Sequence, residues 1–340
     1  MEPWRRGRPG PRRGIPSPPT PCPPPARPTM RHALTHAVQR TALATGVSRW
    51  LAGRQAARRV LMLHGVGGAD MPLPDFEGVL RWLGRHFRVV ALADMVDGLR
   101  RGAPPDPRGE LALTFDDGLR NQYRLAYPIL RRLGLPATIF VCPDLVERQC
   151  WLWNHEVRAR WQRLEPRQRL ALAEEFGAAG SDVAAAVQRL KEQPPATRDA
   201  SCRRLRQATP GFRATPEEQA AYDMMSWDDM RGMDPALVTI GSHTLTHPIL
   251  PLLDDQALER ELGESRLRLE DRLRREVALF CYPNGSTDSR VRAAAARHYA
   301  AAVSTEESLA TADADLLAIP RIPSTPNLAL CAWRLHRPRA

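Results

Sequence analysis

The feature that most constrains this chain is a repeated alternation of short apolar runs with amphipathic helical stretches. Runs at 60–64 (VLMLH), 87–92 (FRVVAL), 110–115 (ELALTF), 137–142 (ATIFVC), 237–241 (LVTIG), 277–282 (VALFCY) and 301–304 (AAVS) read as strands. Helical patterns fall between them, at about 74–86, 93–101, 121–133, 226–232, 255–274 and 288–300. Strands joined through helices pair in parallel, because each connection has to cross the sheet. Such a sheet, open or closed into a barrel, carries its functional side chains at the carboxyl ends of its strands.

The alternation is interrupted once. Residues 145–222 are rich in Ala, Glu, Gln and Arg and read as a helical insertion, with helices at about 155–165, 166–176, 181–193 and 216–222. Ahead of the first strand, 31–59 reads as a basic helical lead-in, with Leu34, Val38, Leu43, Val47, Trp50 and Leu51 set between arginines. It suits packing on the domain or peripheral contact with an anionic membrane surface. Residues 1–29 hold eleven prolines and no apolar period, so they cannot build a core. They also lack the apolar stretch of a secretory signal. Two readings of them stand, a disordered tail or a translation start at Met30. The expected organisation is a tail at 1–29, a lead-in at 30–59, one domain at 60–323 and a C-terminal tail at 324–340. The expected location is cytoplasmic, or peripheral at the inner membrane face.

Net charge +11 invites a nucleic-acid reading. However, the 49 cations include a single lysine, Lys191, and six Arg against one Glu place +5 of the charge in residues 1–29. That is a compositional bias rather than a binding face, and no nucleic-acid partner is expected. The six cysteines form no CxxC pair, which argues against a zinc ribbon or a disulfide scaffold.

Three polar clusters follow predicted strands. The first is Thr114-Phe115-Asp116-Asp117-Gly118. One of its adjacent carboxylates can bind a metal while the other faces a water, and Gly118 permits the tight turn; alone, the cluster reads more readily as a helix N-cap. The second is Ser242-His243-Thr244-Leu245-Thr246-His247-Pro248. Histidines four apart would share one face of a helical turn and reach one ion. With an Asp from another strand they fit a two-histidine, one-carboxylate site with open positions. The third, Phe280-Cys281-Tyr282-Pro283-Asn284-Gly285, shapes a turn that can expose a backbone N–H; alone it is an ordinary loop.

The three clusters in this order resemble the polysaccharide deacetylase family, the NodB-like domain of carbohydrate esterase family four. TFDDG, SHTLTH and FCYPNG match its first three motifs over roughly 60–142 and 226–323. The resemblance implies a parallel, distorted (β/α) barrel, an α/β fold, carrying the helical insertion. It implies metal binding by Asp117, His243 and His247, with Zn2+ or another divalent transition metal, and Asp116 as general base. The metal and the backbone N–H of Asn284 would hold the oxyanion, with Tyr282 beside it on the substrate side. Where the third motif often begins with an orienting arginine, this chain has Cys281. Arg321, in IPRIP, is a candidate substitute, although a surface arginine is the plainer reading. LMLHGV near the start is similar to the strand that comes first in the permuted poly-N-acetylglucosamine deacetylase branch. On that likeness His64 is the general acid, the alternative being a buried structural histidine, and the first strand pairs with the last.

The expected function is metal-dependent removal of N-acetyl groups from a sugar of a polysaccharide or glycolipid. Two alternatives stand beside it: an amidase on a non-sugar amide with the same metal site, and a silent glycan-binding protein. Trp151, Trp153 and Trp161 would stack on sugar rings or anchor the insertion.

Overall fold

A computed structural model describes residues 30–53 and 57–336. Its strands are β1 (Arg59–Leu63), β2 (Arg88–Val89), β3 (Glu110–Phe115), β4 (Ala137–Val141), β5 (Val238–Ser242), β6 (Leu279–Cys281), β7 (Ala301–Val303) and β8 (Ile322–Pro323). They form one eight-stranded sheet in the order β7-β6-β5-β4-β3-β1-β8, with β2 added to the start of β3. All of its ladders are parallel. A parallel bridge from Val303 to Ile319 brings β7 back to the segment before β8, so the sheet curls into a distorted barrel. The expected closure of first strand on last is therefore made through β8. Only two residues long, one of them Pro323, β8 shows no periodicity in the sequence.

Helices α1 (Met30–Ala44) and α2 (Val47–Gly53) form the lead-in. Next come α3 (Leu73–His86) and α4 (Leu92–Arg100), then α5 (Tyr127–Leu133) between β3 and β4. The insertion holds α6 (Pro143–Arg148), α7 (Trp153–Trp161), α8 (Pro166–Phe176), α9 (Val183–Lys191), α10 (Pro195–Ala208) and α11 (Pro216–Tyr222). The barrel resumes with α12 (Trp227–Arg231), α13 (Asp255–Leu273), α14 (Ser289–Ala295) and α15 (Leu328–Arg334). The expected helix at 121–133 begins as a π-helical turn, Gln122–Ala126. Pro128 has no N–H to offer, which breaks the regular i to i−4 ladder there. Helix α10 was not anticipated: its buried stripe is Arg198, Cys202 and Leu205, which carries almost no apolar signal. In the stretch read as a tail, α15 packs on α1 and α3. The lead-in buries Gln39, Ala42 and Ser48, while Val38, Val47 and Trp50 face outward. The proline-rich 1–29 lie outside the described residues, and among the described residues no helix is long and apolar enough to cross a membrane.

Side chains alternate faces along a strand, and this parity builds the site. Leu61, Leu63, Leu111, Leu113, Phe115, Ile139 and Val141 face the helices, packing with Phe76, Leu80, Leu130 and Leu262. Val60, Ala112, Phe140, Leu279, Cys281, Ala301 and Val303 face inward, with Met95 and Leu99 of α4. Each fully buried Val, Leu, Ile, Met or Phe among them contributes roughly 1.5–3 kcal/mol. Continuing the inward parity one step past the ends of β1, β3 and β5 reaches His64, Asp116 and His243, and Cys281 ends β6 on the same face. Gly241 belongs to the same series; a Cβ there would lie 2.5 Å from the Phe140 ring on β4.

The insertion has its own small core of Val157, Trp161, Leu172, Phe176, Leu190 and Leu205. Its return limb pairs with the turn after β3. Leu119 bridges Met224, the Arg120 N–H donates to the Asp223 carbonyl at 2.7 Å, and the Met225 N–H donates to that of Gly118 at 3.0 Å.

Candidate active site

Asp116 follows β3 on the inward face, and parity alone would send Asp117 to the opposite side. The backbone corrects this: Asp117 has φ 78° and Gly118 φ 71°, so the chain reverses and both carboxylates face the barrel mouth. Aspartate tolerates the left-handed region better than most residues. Gly118 is also hemmed in by Val141, 3.1 Å from where a Cβ would sit.

The segment after β5 is not the helical turn its histidine spacing suggested. Thr244 and His247 both have positive φ, 66° and 62°. The loop is tied by the Thr244 hydroxyl, which accepts from the His247 N–H at 3.0 Å. Glu261 of α13 accepts from the N–H groups of Leu245 and Thr246 (2.9 Å each) and from the Thr246 hydroxyl (2.7 Å). With this geometry the two imidazoles still converge, their centroids 4.9 Å apart.

The Nε2 atoms of His243 and His247 each lie 3.7 Å from Asp117 Oδ1. One ligand atom from each of the three residues falls within 4.8 Å of the others. The His243 Nδ1 lies 2.7 Å from the Cys281 carbonyl, so it carries the proton and Nε2 turns its lone pair inward. Burial pushes both imidazoles down, His247 to about 3, so both are neutral. Two lone pairs and a carboxylate around one gap, too far apart to bond to each other, fit a divalent cation. Asp116, His243 and Cys281 form a second convergent group. It suits a cation poorly, because burial keeps the Cys281 thiol protonated and an arginine already occupies it.

That arginine is Arg321, placed just before β8. Far from a surface residue, it is fully buried. Its Nη1 and Nη2 donate to the two oxygens of Asp116 at 2.7 and 2.8 Å, and its Nε donates to the Ser304 carbonyl at 2.7 Å. Nη2 also lies 3.2 Å from Cys281 Sγ. The guanidinium thus reaches Asp116 from the residue before β8 and lies beside Cys281, the position where the third motif lacks its arginine. Burial pushes the Asp116 carboxyl up, but the charge and hydrogen bonds of Arg321 outweigh it and hold the pKa well below the usual range.

His64 completes the group. Its Nε2 is 3.8 Å from Asp116 Oδ2, and its side chain is 54% exposed, so it is the solvent-facing member rather than a buried structural histidine. Gln122 bonds the backbone carbonyls of His64 and Asp116, and Asn121 accepts from the Val66 N–H at 3.2 Å. Neither residue stood out in the sequence, where LRNQ reads as an ordinary helix start; nor did Glu261, inside a long charged helix.

The third motif departs from expectation in one respect. The Tyr282 ring is buried against Phe280, and its hydroxyl donates to the Leu317 carbonyl at 2.8 Å, so this side chain is not offered to a substrate. Asn284 has φ 55° at the centre of the turn, with its buried Nδ2 unpaired. Trp161 anchors the insertion core, its Nε1 donating to the Ser181 carbonyl at 3.0 Å, and the Trp151 Nε1 donates to Asp223 at 2.9 Å.

A sequence model of the family described as polysaccharide deacetylase matches residues 103–303. The chain belongs to the polysaccharide deacetylase family. The match begins after β1, so the strand that leads to His64 precedes it in the chain while lying between β3 and β8 in the sheet. YxkH of Bacillus subtilis (strain 168) is 20% identical over 292 residues, 84% of this chain and 78% of that relative. The structure of the Streptococcus pyogenes deacetylase PplD in complex with acetate matches with TM-score 0.55 at 19% identity, over 80% of this chain and 93% of that one. IcaB from Ammonifex degensii matches with TM-score 0.54 at 17% identity, over 83% and 98%. These structural likenesses establish the shared deacetylase fold.

Proposed function

We propose that the protein is a metal-dependent N-deacetylase acting on an N-acetylated sugar of a polysaccharide or glycolipid. One observation carries this reading: a cation-fitting triad, Asp117, His243 and His247, lies beside a carboxylate, Asp116, that an arginine holds ionised. A divalent metal there, zinc by family resemblance, would supply Lewis acidity to a water and to the acetamide carbonyl.

The chain's own residues divide the remaining work. Asp116 takes the proton of the attacking water, and its bidentate pairing with Arg321 fixes the direction from which it does so. Water oxygen bonds to the carbonyl carbon, which leaves a tetrahedral oxyanion, and the C–N bond breaks as that adduct collapses. His64 gives a proton to the departing nitrogen; its exposure at the mouth lets it meet a group on a large substrate. The turn Pro283–Gly285 supports the Asn284 backbone N–H as a donor to the oxyanion. The products are acetate and a free amine.

The test is acetate release from a panel of N-acetylglucosamine oligomers and glycolipids with zinc present. Chelation and Asp116→Asn should each abolish it. Folded, zinc-loaded protein that releases no acetate from any of these substrates would sink the reading.

A further inference from the structure

We propose that His155, in the first turn of α7 in the helical insertion, is a substrate-contact residue of the active-site cleft. Its Nδ1 would pair with a hydroxyl of the sugar whose acetamide is cleaved. The proposal rests on the deacetylase reading and assigns part of the site to a segment outside the three motifs.

Its placement comes from the return limb of the insertion, which runs along the turn that carries Asp117. The Asn121 Nδ2 donates to the carbonyls of Ala220 and Ala221 at 3.1 and 3.2 Å, and the Arg120 N–H donates to that of Asp223 at 2.7 Å. Tyr222 lies between these contacts. The His155 imidazole stacks on its ring, centroids 4.5 Å apart and planes 24° apart. The stack therefore stands beside the Asp117 turn.

Its bonding is incomplete. The Nδ1 of His155 is buried and has no hydrogen-bond partner. Buried polar atoms are nearly always paired, so an orphan beside the turn that carries Asp117 calls for a ligand group. Burial also pushes the imidazole below its ordinary value, leaving it neutral, with one donor and one acceptor nitrogen. A hydroxyl both donates and accepts, and so pairs with either tautomer. A carboxylate or an ammonium pairs with only one. A sugar held at the metal triad presents hydroxyls next to its acetamide.

His155→Phe keeps the stack on Tyr222 and removes both nitrogens, whereas His155→Asn sets an amide where Nδ1 lies. The measurements are kcat and KM for an N-acetylglucosamine oligomer on the zinc-loaded chain, zinc affinity, and Tm. H155F should raise KM about tenfold, the worth of one lost hydrogen bond, and leave zinc affinity and Tm in place; H155N should recover part of the loss. Wild-type kcat and KM in H155F would overturn the proposal. So would a fall in zinc affinity, which would make His155 a metal ligand. Should H155F not fold, the imidazole resonances of His155 in Asp116→Asn decide. Their movement on adding the oligomer supports the proposal, and their stillness rejects it. Acetate release by the wild type with H155F unaffected removes this inference alone. No release and no oligomer binding by the wild type removes the deacetylase reading and this inference with it.

Discussion

The mouth of the barrel and the helical insertion hold charge in opposite ways. At the mouth, Asp116, Asp117, His243, His247 and Arg321 are each at most 5% exposed. Three residues there, Asp117, Thr244 and His247, take left-handed backbone, which costs of order 1–3 kcal/mol each and persists only where the surroundings enforce it. In the insertion, charges lie half in water: Glu156 bonds Arg160 and Arg206, and Arg160 also covers the Phe212 ring at 4.4 Å. Within the insertion the only positive φ values among the described residues are at Gln149 and Gly177, both helix ends. The first region spends stability on placing charged groups, and the second is built by helix rules alone. Substitutions should therefore have large effects at the mouth and small ones in the insertion, His155 apart.

The largest effect is expected at Arg321. Arg321→Ala leaves the Asp116 carboxylate buried without its partner, which costs roughly 3–5 kcal/mol. Urea denaturation should show this loss. Arg321→Lys restores a charge but not the two-pronged geometry, so it should recover stability while kcat stays down about 10²-fold with KM nearly unchanged. Recovery of both together would make Arg321 a purely structural residue.

The same contrast explains what could be read from the sequence. The barrel strands and the three motifs are legible because short, continuous apolar runs end in Asp-Asp-Gly, His-x-x-x-His and Pro-Asn-Gly, residue types that few folds place there. Arg321 was harder to read, since IPRIP is too short to show a strand and an arginine between prolines looks like surface. Glu261 and His155 gave no signal. Each acts across the fold, on a loop or ring distant in sequence, and a helix can carry Glu or His for many reasons. Helix α10 escaped notice because its buried stripe holds an arginine and a cysteine.

A middle effect is expected at Glu261, which stands on a barrel helix but works like the mouth. Burial raises its carboxyl above the ordinary value even though it accepts three hydrogen bonds from the histidine loop. Glu261→Ala frees Leu245 and Thr246, so the two histidines lose their fixed spacing. Zinc affinity should fall 10- to 100-fold, on the order seen when an outer support of a metal ligand is removed. Competition with a chromogenic chelator measures it. Zinc affinity within twofold of wild type would mean that the positive-φ loop holds itself.

The smallest effect is expected at Glu156, and its pH dependence separates the two regions most cleanly. Burial pushes this carboxyl up, but hydrogen bonds from Arg206 and Arg160 outweigh it, so its pKa in the folded protein lies below the ordinary value. A depressed carboxylate stabilises the fold above its unfolded value, about 4.3, and the contribution is lost as pH falls through the folded one. The three side chains are 16–48% exposed, so solvent limits the network to about 1 kcal/mol. Glu156→Gln should therefore lower amide-exchange protection in α7 and α10 modestly at pH 7 and by less as the pH is taken down toward 3. An equal difference at both ends would show that packing around Arg160 and Phe212, not charge, holds the insertion together. A large difference at pH 7 that also lowered oligomer affinity would carry the strain to His155, one residue away, and bind the insertion to the chemistry of the mouth.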